Sequence, residues 1–209
     1  MVKIAHEGYP FIIASILLAI GVFVFMPKWV YIFPIVIVFF MFYFFRDPER
    51  TAPNIENAIV SPADGKIILI EKTYEDIYLK SDAIRVSIFM SPLNVHVNRA
   101  PFDGSVETVK HKPGGFNKAY TKEAALTNES ISMVLDTKAG KMLVRQIAGA
   151  VARRAVCRVK PGDRLIKGQR FGIIKFSSRV DIFLPLNVEL KVRLNDKVRA
   201  GETIIGELI

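Results

Sequence analysis

Three short stretches of the chain carry side chains suited to nucleophilic or acid–base chemistry. Ser61-Pro62-Ala63-Asp64-Gly65-Lys66 sets a carboxylate before a glycine, which taken alone marks a tight turn entering a strand. Ser91-Pro92-Leu93-Asn94-Val95-His96-Val97-Asn98-Arg99 sets an imidazole after an apolar run. A lone histidine there is ordinarily a hydrogen-bonded structural residue, and otherwise a proton carrier near neutral pH. Phe171-Gly-Ile-Ile-Lys-Phe176 leads directly into two hydroxyls, Ser177 and Ser178, which by themselves suggest a loop after a strand. His6 and His111 stand outside any such pattern. The single Cys157 excludes an internal disulfide, and no Cys/His group has the spacing of metal ligands.

The elements that must position these groups are mostly strands. From Thr51-Ala52-Pro53-Asn54 onward, short apolar runs are divided by Gly, Pro, Asn and Asp. Val188, Leu190, Val192 and Leu194 alternate with polar neighbours at the period of a half-buried strand. Strands are also expected at Lys66–Glu71, Ile84–Met90, Ser130–Leu135, Met142–Ile147 and Phe171–Phe176, with a short helix at Asn117–Leu126. An internal echo links Val159-Lys-Pro-Gly-Asp163, with Gly168 beyond it, to Val192-Arg-Leu-Asn-Asp196, with Gly201 beyond it. Each copy joins a turn-forming Gly-Asp or Asn-Asp to a glycine five residues later. Two copies are too few for a solenoid. They fit a mainly β, pseudo-symmetric sandwich or barrel resembling biotinyl and lipoyl carrier domains.

Ahead of that domain, Phe11–Met26 and Trp29–Phe45 are uncharged runs separated by Pro27-Lys28. As helices they would measure about 24–26 Å, slightly short of the roughly 30 Å hydrocarbon core. A hydrophobic helical hairpin over residues 1–45 is expected, either spanning twice or re-entrant, followed by a linker at 46–54 and a β domain at 55–209. Trp29 and the cluster Arg46-Asp47-Pro48-Glu49-Arg50 suit the membrane boundary, and the flanking positive charge favours the cytoplasm for the domain. The net charge of +9 lies almost wholly beyond Phe45 and would answer to acidic lipid or nucleic acid alike.

Together the pieces resemble the phosphatidylserine decarboxylase family in its short prokaryotic form, which includes archaetidylserine decarboxylases. The resemblance rests on Phe45-Arg-Asp-Pro-Glu-Arg, Ser61-Pro-Ala-Asp-Gly, Asn94-Val-His-Val-Asn-Arg, Lys112-Pro-Gly-Gly-Phe, Gln146-Ile-Ala-Gly-Ala-Val-Ala-Arg-Arg, Val159-Lys-Pro-Gly-Asp and Phe171-Gly-Ile-Ile-Lys-Phe-Ser-Ser-Arg-Val-Asp, in that order. It implies a self-processing enzyme in which Ser178 attacks the carbonyl of Ser177, the chain is cut between them, and Ser178 becomes a covalent pyruvoyl group. That group forms a Schiff base with the amine of a serine phospholipid and accepts electrons as carbon dioxide departs. His96 is then the carried-over base for processing and Asp64 the carboxylate that orients it. No metal is implied.

The implied partners are the membrane, phosphatidylserine or archaetidylserine, and the two cleaved chains held to each other; nucleic acid is not among them, and a homo-oligomer is compatible. A cell-membrane location with the domain facing the cytoplasm follows. Two positions depart from the family pattern: Arg99 stands where longer members often have a second histidine, and Ser177 where glycine usually precedes the processed serine. The contrasting expectation is a membrane-anchored, carrier-like β module, or a family member that no longer processes itself, either of which would remain one intact polypeptide.

Overall fold

Uncharged side chains from Tyr9 to Phe25 leave nothing to interrupt a helix. The computed structural model, which describes residues 3–115, 127–149, 154–176 and 178–209, has one there. This first unit, Met1–Glu49, comprises β1 (Lys3–Ile4), α1 (Tyr9–Phe25), α2 (Ile32–Phe44) and β2 (Arg46–Asp47). Pro10 occupies the first turn of α1, where its missing N–H deprives the helix of nothing. α2 starts later than the apolar run because Lys28–Val30 form a 3-10 turn. The two helices meet where Tyr31 donates to the Phe23 carbonyl at 2.9 Å and the two rings stand 4.7 Å apart. β1 pairs with β2 and joins the ends of the hairpin. His6–Phe25 is long and apolar enough to cross a membrane, and Lys28–Phe44 is shorter.

The second unit, Arg50–Ile209, is built from strands. In chain order they are β3 (Ala58–Val60), β4 (Gly65–Glu75), β5 (Ser81–Met90), β6 (Val97–Arg99), β7 (Gly104–Lys112), β8 (Ser130–Thr137) and β9 (Gly140–Ala148). Then follow β10 (Ala155–Cys157), β11 (Arg164–Leu165), β12 (Arg170–Ile174), β13 (Ser178–Leu184), β14 (Val188–Leu190), β15 (Lys197–Val198) and β16 (Ile204–Leu208). A curled eight-stranded sheet has the order β11-β7-β8-β9-β13-β5-β4-β15, and two three-stranded sheets run β10-β12-β6 and β14-β16-β3. Alternate residues of the large sheet, such as Val86 and Ile88, Met142 and Val144, Val180 and Ile182, share one apolar core with Ile59, Phe171 and Ile205 of the small sheets.

The pseudo-symmetry is explicit. β15-β4-β5-β13 repeats as β11-β7-β8-β9, and each half owns one small sheet. β4 is irregular after Ile67 and β7 at the equivalent Val106. Asp163 accepts the Lys160 N–H at 2.9 Å and Asp196 that of Arg193 at 2.7 Å. Gly168 and Gly201 take φ of 80° and 75°, the left-handed region open to glycine. These are the turns of the internal echo. Following the registers outward in, the pseudo-dyad passes between Val144 and Ile182, which face each other across β9 and β13.

Two strands are shorter than alternation predicts. β14 stops at Leu190, because the chain turns at Asn195, with φ of 77°, and Asp196 caps Arg193; Leu194 is left exposed. β12 stops at Ile174, before the left-handed Phe176. The helix expected at Asn117–Leu126 lies outside the described residues.

Candidate active site

Ser178 opens β13, a strand flanked on both sides inside the large sheet. Its backbone partners are Met90 on β5 and Ala148 on β9. The side chain is fully buried, and Oγ donates to the Met90 Sδ at 3.4 Å. A thioether is a weak acceptor, so the hydroxyl is removed from water without being committed to a strong hydrogen bond. Two residues earlier, Phe176 has φ of 65°, a conformation that costs a bulky L-residue roughly 1–3 kcal/mol. Ser177 lies outside the described residues.

His96 immediately precedes β6 and is fully buried. Its Nδ1 lies 3.0 Å from the Asn94 carbonyl. A carbonyl only accepts, so Nδ1 carries the proton and Nε2 of the neutral ring carries the lone pair. The His96 carbonyl receives the Ile174 N–H at 3.3 Å. The imidazole is thereby tied to the segment that reaches Ser178 four residues later.

Asp64 is placed differently from the direct imidazole contact expected of it. The Arg50 guanidinium spans its two oxygens at 2.5 and 2.8 Å, and the Ala200 N–H adds a third bond at 2.8 Å. No hydrogen bond joins Asp64 to His96 among the described residues. The connection runs through the backbone: the Pro62 carbonyl receives the Arg99 N–H at 3.0 Å and the Asn98 amide at 3.4 Å. Asp64 pins a turn, and that turn docks on the strand after His96. The pseudo-symmetric Ala100-Pro-Phe-Asp103-Gly104 has the same form, with Asp103 accepting the Lys167 N–H at 2.6 Å. In both copies the glycine is forced by close approach. A Cβ on Gly65 would lie 2.1 Å from the Phe89 carbonyl oxygen, and one on Gly104 would lie 2.4 Å from that of Asp136.

Four further residues complete the constellation and were not singled out from sequence. Met90 receives Ser178 and, at 3.8 Å, the Asn98 amide; Gln146 donates to Asn98 Oδ1 at 2.8 Å. The Gln146 Oε1 is buried with no hydrogen-bond partner among the described residues, a spare acceptor on the face of β9 that also carries Ala148 opposite Ser178. Its signal was a polar residue at an inward position of an apolar strand. Arg50, read as part of a membrane-boundary cluster, instead holds Asp64, a pairing across fourteen residues that no local pattern announces.

Arg99, in the place of a second histidine, is buried and donates to the Gly168 carbonyl at 2.9 Å. Arg179 and Asp181, on the opposite face of β13 from Ser178, form a buried ion pair at 2.6 and 3.0 Å, with Ser87 on a guanidinium nitrogen at 2.8 Å. His111 faces Glu129 at 3.3 Å and is half exposed.

Known proteins resemble this chain in sequence along nearly its whole length. The sequence pattern of the phosphatidylserine decarboxylase family matches residues 37–206. A phosphatidylserine decarboxylase proenzyme of Desulfotalea psychrophila is 45% identical over 210 residues, covering 100% of this chain and 98% of that one. The proenzyme of Geotalea uraniireducens is 45% identical over 206 residues, covering 98% of this chain and 96% of its own. That of Nitrosomonas europaea is 43% identical over 206 residues, covering 98% and 94%. Similarity that runs through both units and through every stretch that builds the site places this chain in the phosphatidylserine decarboxylase family.

Proposed function

We propose that the chain is a proenzyme that cuts itself between Ser177 and Ser178 and then decarboxylates phosphatidylserine, the substrate in its relatives' name, to phosphatidylethanolamine and carbon dioxide. The observation that carries this reading is the position of Ser178: a buried, weakly bonded hydroxyl at the first residue of a strand that is paired on both sides.

In processing, His96 Nε2 takes the Ser178 Oγ proton as Oγ attacks the Ser177 carbonyl carbon. The C–N bond breaks, the amine gains a proton, and an ester joins the two residues. Loss of the Ser178 Cα proton expels the Ser177 carboxylate. Water then releases the nitrogen as ammonia, leaving a pyruvoyl group on the new terminus. The left-handed Phe176 favours this step by storing strain in the segment that cleavage releases. Cleavage need not unfold anything, because β13 stays paired with β5 and β9, and β16 with β3. The two chains remain one body.

The surrounding residues fit a pyruvoyl group. Gln146 has an acceptor to spare, the site is buried, and among the described residues no stronger group than Met90 competes for Ser178. Once formed, that group supplies a carbonyl able to take the substrate amine and withdraw electrons as carbon dioxide leaves. His96 holds a proton at Nδ1 and can move one at Nε2 in either stage, while Asp64 and Arg50 position its strand through the Pro62 turn. The apolar helix His6–Phe25 would keep the enzyme in the cell membrane beside a lipid that never leaves it, the β unit facing the cytoplasm. The test is release of carbon dioxide from phosphatidylserine by the purified full-length chain, and its loss on treatment with a carbonyl reagent. Activity that survives such a reagent would exclude the pyruvoyl reading.

A further inference from the structure

The pseudo-dyad duplicates a cleft as well as a fold. One copy, about 540 Å³, is lined by Asp64, Lys66, Phe89, Ser91, Lys197 and Arg199 among others. The other, about 470 Å³, has Asp103, Ser105, Asp136, Lys138, Arg164 and Ile166 at the corresponding positions, with Glu56 beside them. The chemistry differs. The first cleft sets three cations against one carboxylate; that carboxylate is already bound to Arg50, and of the cations Arg199 has Glu202 at 3.9 Å. The second sets two cations against three carboxylates.

Within the first cleft, Lys66 and Lys197 lie directly opposite each other on β4 and β15. Like charges in that relation destabilise a sheet, and neither lysine has an ion-pair partner among the described residues. Such a local conflict is expected where a ligand resolves it. Position supports the same conclusion. Lys66 pairs with Phe89, which pairs in turn with Arg179, the neighbour of Ser178. The Lys66 backbone is thus two strands, about 10 Å, from that of Arg179, on the sheet face opposite Ser178, so a headgroup held at Lys66 reaches Ser178 around the strand ends, past Ser91 and Asn94. The cleft wall at Ser91 and Asn94 is one turn, closed by Asn94 Oδ1 accepting the Ser91 N–H at 2.8 Å, and the Asn94 carbonyl is the group that orients His96.

We propose that the cleft holds the phosphodiester of the substrate headgroup, with Lys66 and Lys197 as its principal charge partners and Arg199 at the rim. This deepens the decarboxylase reading and rests on it for the identity of the lipid, though not for the binding of the anion. The phosphate sits against two strands that otherwise repel each other, and the amine end of the headgroup passes around the end of β5, at Met90 and Ser91, toward Ser178 and His96.

The test separates the two claims by using full-length Ser178→Ala protein in detergent, which binds without turnover, and glycerophosphoserine as the water-soluble probe, measured by calorimetry. Lys66→Met and Lys197→Met are each expected to weaken binding about tenfold, the usual scale for one charge-assisted hydrogen bond. Arg164→Met, in the opposite cleft, should leave it unchanged. Both lysine variants should also be as heat-stable as the parent or more so, because each removes a repulsion. In the active protein the same variants should raise KM for short-chain phosphatidylserine with kcat and self-cleavage nearly unchanged. Unaltered glycerophosphoserine binding in both lysine variants overturns the proposal. So does inorganic phosphate binding as tightly as the diester, which would make this a free-phosphate site, or an effect seen on phosphatidylserine vesicles and absent with the short-chain lipid, which would assign the cations to the membrane surface. If binding behaves as expected while the active protein releases no carbon dioxide, the subsite stands and the decarboxylase reading falls.

Discussion

The β5–β13 and β8–β9 strand pairs occupy equivalent places in the two halves of the sheet, and they are finished differently. In the second half, Thr137 and Gly140 face each other across a two-residue hairpin turn, with Gly140 at φ of 102°. In the first half, Met90 and Ser178 face each other in the same way, but the chain between them runs through residues 91–177, the entire second half. Ser178 therefore starts a strand at a point where the fold needs no covalent connection. A cut before Gly140 would open a hairpin; a cut before Ser178 ends a long excursion and leaves every strand pair in place. The site thus occupies the one of two equivalent strand starts where peptide cleavage disturbs least. The left-handed Phe176 and the buried His96 come from that excursion, and the cationic cleft is lined mainly by the first half.

Seven substitutions, in four steps of decreasing effect, sharpen or break that contrast. The largest effect is expected from Ser178→Ala, which should remain a single chain without activity, while Gly140→Ser in the equivalent position should create no second cut; gel analysis of both reads the outcome. Next is His96→Ala. Removing a general base typically slows a proton transfer about 100- to 10,000-fold, and the time course of self-cleavage measures it. Wild-type cleavage in this variant would remove His96 from processing.

The paired turns come third. Asp64→Ala leaves the buried Arg50 without its carboxylate and should cost about 3–5 kcal/mol, whereas Asp103→Ala loses one exposed backbone bond and should cost about 1 kcal/mol. Chemical denaturation gives both. Cleavage should slow only in the Asp64 variant, and by less than for His96→Ala, since Asp64 acts through the Pro62 turn. The smallest effect is expected from Ser177: Ser177→Ala should still cleave, and Ser177→Gly should cleave at least as fast as the parent. In an extended chain neighbouring side chains point to opposite faces, which is why one of two adjacent hydroxyls, Ser178, is expected to act alone.

The strands that sequence reveals are those that alternate against a core, such as Ile84–Met90 and Met142–Ile147. Two-residue edge strands such as β11 and β15 have too few residues to show a period, yet the turns that precede them were legible, because Asp163 and Asp196 cap their own backbone. The second Pro-x-Asp-Gly turn, at Pro101 to Gly104, repeats the first, but the strands that follow the two turns share little beyond the pattern. Ser178 and His96 were found through the family resemblance, as single residues of ordinary appearance. Arg50, Gln146 and the opposed lysines escaped because their meaning lies in contacts between distant segments. The alternation at Val188–Leu194 overreached because burial of Val192 continues past the last ladder bond of β14.

Intact-mass measurement of the purified full-length protein tests the central claim most directly. Two species are expected, one ending at Ser177 and one comprising residues 178–209 with a pyruvoyl group in place of Ser178, a chain that resists stepwise N-terminal degradation and reacts with carbonyl reagents. A blocked chain beginning at Ser177 would show that the wrong hydroxyl had been assigned, and a single uncut polypeptide would contradict the account altogether.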